Sequence, residues 1–495
     1  MKERARLPNL LTAARELRGL IAEVADVDWR HPAWLALVGG TALLEATNGA
    51  PRVGAGELYA TYLSANGGPR ADTFMARERA AAARPDPAVA VALAVVRARA
   101  AAAVLDRLAG ELPDQPLLRA LAWRDGWLTR VALPPGPPRV AFVTPRGAVL
   151  ADLAAPDGAL AAALGAVCAG QPPRPPLVAI DAAARVPVPA AVAVALASEP
   201  IATARHLHRR AWSAGGGPWL GVGEAPGLEL VTTCHLVVDG FGHGRVASRL
   251  FAALAPPPAA LVAAAAGGLG TASLPAPAPL PDAEPLGFAA AALPRADVQF
   301  PRAAYAFGRT LARAYGRRAA RFSPTFQVPL VPGDRADAGR RSRRLLFGLM
   351  SVRMVDGGFE DYRAFRARLE TTLPREAAAA GLLTRLLAAT SNAPLPPSWR
   401  RRLLASRREP HPLLPPVEAL AGRGSLALIR YPDDEPPPLY AASAPPLFDD
   451  VGAVVLTLIP HAGGCAASIA GSGRAATGDG ARALLDLFVE ELDRA

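Results

Sequence analysis

The 495-residue sequence predicts an α/β protein of two lobes, and three observations carry that expectation. The length exceeds what one core of ordinary size requires and points to two or three domains or a pair of fused lobes. From about residue 139 to the end, short apolar segments of strand length alternate with amphipathic helical patterns. A Pro/Ala/Gly-rich stretch, APPPAALVAAAAGGLGTASLPAPAPLPDAEPLG (255–287), divides that alternation in two and reads as a linker or crossover. The expected boundaries are a helical N-terminal region over 1–135, a first α/β lobe over 136–255, the linker over 256–287 and a second α/β lobe over 288–495.

Each element has its own signal. Residues 83–112, ARPDPAVAVALAVVRARAAAAVLDRLAGEL, open near Asp86 and Pro87 and run through strong helix formers to Gly110. LPPGPP (133–138) breaks the helical texture, and RVAFVTPRGAVLADL (139–153) gives two short strands around a Pro-Arg-Gly turn. GALAAALGAVCAG (158–170) predicts a helix, PLVAI (176–180) a buried strand, and GLELVTTCHLVV (227–238) a strand ending at a histidine. Beyond the proline-rich stretch, FPRAAYAFGRTLARAYGRRA (300–319) is helical, TFQVPLVP and RLLFGLMSVRM are strand-like, and DYRAFRARLETTL returns to helix. The chain closes with VGAVVLTLI (451–459), a Gly-rich return strand, and a helix from Asp479 with Leu484, Leu485, Phe488 and Leu492 on its inner face.

Composition narrows the function classes. The chain is 51% hydrophobic, much of it alanine, and no run of about 18 or more strongly apolar residues stands out as a membrane span. The N-terminal residues lack the apolar core and cleavage site of a secretory signal, so a cytoplasmic protein is expected. Cys168, Cys234 and Cys465 offer neither metal-ligand spacing nor a close pair. The net charge of +11 rests on 53 arginines and one lysine, Lys2, a skew that suggests coding bias. RRSRR (340–344) and WRRRLL (399–404) are the densest clusters, and no nucleic-acid-binding motif accompanies them, so no nucleic-acid partner is expected.

One segment carries chemistry. LVTTCHLVVDGFGHGR (230–245) contains His-x-x-x-Asp-Gly: His235, Asp239 and Gly240. Val231, Thr232, Thr233, Val237 and Val238 favour a strand, while the glycines end it, and Val246, Leu250, Phe251 and Leu254 form one face of a following helix. Neighbours on a strand point to opposite faces, which disfavours a dyad of Cys234 with His235. Asp239 is expected to anchor the loop that holds the histidine, and Gly240 to permit its tight turn. His206, His208, His243, His411 and His461 show no such pattern, and no metal site is expected.

CHLVVDG resembles the active-site motif of the chloramphenicol acetyltransferase-like superfamily, which includes condensation domains, plant BAHD acyltransferases and wax ester synthase/diacylglycerol acyltransferases. FQVPLVPGDR (326–335) with RRLLFGLMSVRM (343–354) looks like that family's second-lobe strands, and TSNAPLPP (390–397) is similar to the Ser-Asn-x-Pro-x-Pro stretch of wax ester synthases, with Leu395 in place of a glycine. The resemblance runs over roughly 139–495; the first 130 residues, RADTFMARE (70–78) included, show no clear match. It implies two α/β lobes of mixed sheets and flanking helices with an active-site tunnel between them, and a transferase of acyl groups other than aminoacyl groups.

In that reading His235 is the general base, Asp239 and Gly240 shape its loop, and Ser391 or Asn392 supplies a hydrogen bond to the oxyanion. No tightly bound cofactor is implied. An acyl-CoA or phosphopantetheine thioester is the co-substrate, an alcohol or amine the acceptor, and an acyl carrier protein a candidate partner. Cys234 stands where several subfamilies carry a further histidine, which leaves open a catalytically degenerate condensation-like domain acting as a binding or scaffold protein.

Overall fold

In the computed structural model, the residues described are 10–12, 14–19, 38–40, 42–43, 72–78, 86–111, 120–124, 127–131, 140–180, 192–196, 220–225, 228–234, 240–274, 287–295, 297–316, 321–324, 326–327, 350–351, 355–356, 360–374, 424–429, 440–443, 454–471, 475 and 479–495. The chain forms two units. The first comprises Arg70–Leu286 with Tyr431–Ser443, and the second comprises Met1–Pro69, Gly287–Arg430 and Ala444–Ala495. Each is built on a mixed β-sheet with helices packed on it, as the α/β prediction requires.

The strands of the first unit are β1 (Asp72–Glu78), β2 (Ala120–Arg124), β3 (Trp127–Val131), β4 (Val140–Thr144), β5 (Gly147–Ala151), β6 (Leu177–Ala179), β7 (Val192–Ala195), β8 (Leu220–Ala225) and β9 (Leu228–Cys234). β2 and β3 form a separate hairpin. The others make an eight-stranded sheet in the order β1-β9-β8-β7-β4-β5-β6, with Tyr440–Ser443 added outside β1. β7 runs parallel to both β4 and β8, and the other pairings are antiparallel. The helices are α1 (Pro87–Glu111), α2 (Asp157–Cys168), α3 (Gly240–Ala253) and α4 (Ala259–Leu269).

α1 begins where Asp86 accepts a hydrogen bond from the Ala88 N–H at 2.7 Å, an N-cap that satisfies one of the orphan donors of the first turn. Its apolar sequence follows from its position: it packs against α2, α3, α4 and β7, and Val91, Val95, Ala98 and Ala101 are fully buried. By length and composition Pro87–Arg107 is apolar enough to cross a membrane, an exception to the sequence expectation. That stretch is 72% buried inside the protein, where a core helix reads as apolar on most faces.

Three boundaries differ from the sequence expectation. β1, β2 and β3 lie within 1–135, and β1 enters the large sheet between β9 and Tyr440–Ser443, so the described residues of this region include strands of the first unit as well as helix. Within the expected linker, Ala259–Leu269 is a helix packed closely on α2. Small residues on its inner face permit close contact: a Cβ on Gly268 would lie 2.0 Å from the Ala162 carbonyl oxygen, and one on Gly165 of α2 2.6 Å from that of Ala265. Third, residues 431–443, expected in the second lobe, belong to the first unit.

The second unit holds β10 (Gly287–Leu293), β11 (Arg321–Pro324), β12 (Phe326–Gln327), β13 (Met350–Ser351), β14 (Val355–Asp356), β15 (Gly424–Leu428), β17 (Val454–His461) and β18 (Gly464–Gly471); Tyr440–Ser443 is β16 in chain order. Six of them form a sheet in the order β10-β18-β17-β15-β11-β14, and β12 pairs with β13. Its helices are α5 (Phe300–Tyr315), α6 (362–374) and α7 (Gly480–Arg494). α7 buries Leu484, Leu485, Phe488 and Leu492, the residues its periodicity selects. With Phe307 and Leu311 of α5, Phe365 of α6 and Leu456 and Ile469 of the sheet, they form one core.

Candidate functional site

β9 lies inside the eight-stranded sheet, flanked by β1 and β8. Its residues explain why it is a strand: Leu230, Val231 and Thr232 are buried and suit a pleated surface covered on both faces. Thr232 stands opposite Gly221 of β8, and a Cβ at that glycine would lie 2.2 Å from the Thr232 Oγ1. The glycine makes room for the threonine.

The strand ends at Cys234 and α3 starts at Gly240, so residues 235–239 connect a sheet strand directly to a helix. The helix is held by its predicted face: Val246, Leu250 and Phe251 are buried, together with Ala247 and Ser248. Gly240 is therefore the first residue of α3. His235, Asp239, Ser391 and Asn392 lie outside the described residues, as do 328–349 and the whole Ser-Asn-x-Pro stretch. β1 runs antiparallel beside β9, from Asp72 opposite Cys234 to Glu78 opposite Leu228.

At the end of β9 remote from the motif sits a group of four charges that the sequence pattern did not single out. Glu229 of β9 is directly opposite Glu224 of β8. Arg97, midway along apolar α1 and 2% exposed, donates to Glu224 Oε2 at 2.7 Å and lies 3.8 Å from Glu229 Oε1. Arg77 of β1 donates through Nη2 to Glu229 Oε2 and through Nη1 to the Phe251 carbonyl of α3 at 2.9 Å. Its guanidinium also lies 5.0 Å from the centre of the Phe251 ring. These contacts span 127 to 174 residues of sequence, and no local motif signals them.

Other chemistry-bearing residues have structural explanations. Burial pushes the Cys168 thiol up to about 12, against the opposing charge of Arg146, which makes it a poor nucleophile at neutral pH. His461 accepts a hydrogen bond on Nδ1 from the Gly463 N–H at 3.2 Å, stabilising the turn between β17 and β18. Among the described residues no three His, Cys, Asp or Glu side chains group as metal ligands.

No protein-family model matches the sequence, and no curated protein does. The solved structures that the fold is similar to include condensation domains. The first condensation domain of the CDA synthetase shares 17% identity at a TM-score of 0.41, over 88% of this chain and 94% of that one. A structure described as the molecular basis for condensation domain-mediated chain release from the enacyloxin polyketide synthase shares 15% at 0.36, over 98% and 96%. The starter condensation domain of the rhizomide synthetase shares 13% at 0.36, over 89% and 94%.

Proposed function

We propose that the protein is an acyltransferase that moves an acyl group from a thioester, acyl-CoA or acyl carrier protein, to a hydroxyl or amine, with His235 as general base. The observation that carries this reading is that His-x-x-x-Asp-Gly joins an interior strand ending at Cys234 to a helix beginning at Gly240. The residue before the histidine thus belongs to a sheet strand and the last residue of the motif to a helix, and rigid flanking elements are what a positioned base needs. His235 takes the proton from the acceptor as its oxygen or nitrogen attacks the thioester carbonyl. The tetrahedral oxyanion collapses, the C–S bond breaks, and the thiolate leaves and takes up the proton. Asp239 and Gly240 shape the loop, and Ser391 or Asn392 donates to the oxyanion.

The test is thiol release from a panel of acyl-CoA thioesters with alcohol and amine acceptors. The expected outcome is acceptor-dependent release in the wild type that falls about 10²- to 10⁴-fold in His235→Ala. Release that the substitution leaves unchanged overturns the mechanism. Cys234, in place of a further motif histidine, favours the second reading, a degenerate domain that binds a carrier. Absence of release from acylated carrier protein as well as acyl-CoA, together with binding of the carrier, would establish that reading instead.

A further inference from the structure

We propose that Arg77 is a positioning residue for His235, acting from the far end of the strand and helix that the motif joins; this rests on the reading of His235 as the base. Glu224 and Glu229 face each other on adjacent strands, a placement in which like charges repel. Two arginines offset it, and one of them, Arg97, is taken out of water in the middle of an apolar helix. Partly buried ion clusters of this kind contribute little net stability compared with apolar packing, and their best-attested use is to fix one arrangement of elements against its alternatives.

The arrangement fixed here is that of β9 and α3. Arg77 holds Glu229, near the start of β9, and the Phe251 carbonyl, in the last turn of α3, where unpaired carbonyls and the helix dipole favour a cation. Glu229 is in turn held from α1 by Arg97, so the joint is braced from a third element. From Glu229 to Cys234 is about 17 Å of strand. From Gly240 to Phe251 is about 17 Å of helix. The two arms thus have nearly equal length, with the clamp at one end and the His-x-x-x-Asp-Gly connection at the other. Over an arm of that length, a change of about 3° in the angle between strand and helix shifts the motif by about 1 Å, enough to cost on the order of 10²-fold in rate when a base must meet its proton.

The test compares full-length wild type with Arg77→Met, Arg77→Lys and Glu229→Gln, and uses Arg313→Met of the second unit as a control for general loss of an ion pair. The first readout is the histidine NMR titration, with the His235 resonance identified as the one missing from His235→Ala. The expected result is that its shift and midpoint move in Arg77→Met and Glu229→Gln, return toward wild type in Arg77→Lys, and stay in place in Arg313→Met. This readout needs no turnover, so it stands or falls separately from the acyltransferase reading. The second readout is thiol release, where kcat falls roughly ten- to a hundred-fold in Arg77→Met with KM within about two-fold. A His235 resonance that is unmoved in both Arg77→Met and Glu229→Gln, or moved equally by Arg313→Met, overturns the proposal.

Discussion

At the scale of single residues, the second unit shows how a buried charge is made tolerable. Glu491 of α7 is fully buried and accepts hydrogen bonds from Arg309 Nε at 2.6 Å, from Arg313 and, at 3.1 Å, from Arg494. Burial alone would raise its pKa; the hydrogen bonds and charges of Arg309 and Arg313 outweigh burial and hold the carboxyl below the ordinary glutamate range. Glu491→Gln keeps the shape but removes the charge, and is expected to lower stability by about 1–3 kcal/mol at neutral pH, read from urea midpoints. Because the folded pKa is depressed, the carboxylate's contribution is complete above the unfolded value of about 4.3 and is lost as pH falls through the lower folded value. The gap between wild type and variant should therefore be constant from neutral pH down to about 5 and shrink below it. A gap that widens in acid would contradict the sign of the shift.

At the scale of elements, the crossing of α2 on α4 makes a sharp prediction, because the atoms a Cβ would strike are backbone on both sides. Gly268→Ala forces the helices apart and should cost about 1–3 kcal/mol, while Gly267→Ala, with nothing within 4 Å, should leave thermal stability unchanged or slightly raised. Equal thermal midpoints for the two variants would sink the account of the contact. This helix also shows where the sequence could not be read: small residues that permit backbone approach look, without a partner in view, like the composition of a flexible linker. Elements whose partners are local or generic were legible, as with α7 and its four leucine and phenylalanine positions, or β9 with its β-branched run. β1 was not, since DTFMARE becomes a strand by pairing with residues 150 or more positions away. The candidate site divides the same way. The spacing of His235, Asp239 and Gly240 announces itself, whereas Arg77 is one arginine among 53 until the fold brings it to Glu229 and Phe251.

At the scale of the whole molecule, the chain order of the two units is interleaved, and this has a measurable consequence. Tyr440–Ser443 is flanked in sequence by strands of the second unit, yet it pairs antiparallel with β1, from Thr73 opposite Ser443 to Ala76 opposite Tyr440. Its stability should follow the sheet it completes rather than its chain neighbours, because amide protection reports the cooperative unit in which a hydrogen bond is broken. Native-state hydrogen exchange can separate the two. Gly268→Ala, which weakens the first unit at the α2–α4 crossing, should lower protection at 440–443 together with β1 and β9 and leave Gly424–Leu428 unaffected. Glu491→Gln, which weakens the second unit, should do the reverse. If both substitutions lower protection at 440–443 and 424–428 alike, the two units unfold as one. If 440–443 follows only Glu491→Gln, the pairing with β1 does not govern this segment. The expected pattern would mean that a segment separated from β1 by more than 350 residues of sequence covers the outer side of β1, so that the strand paired with β9 is not itself an edge.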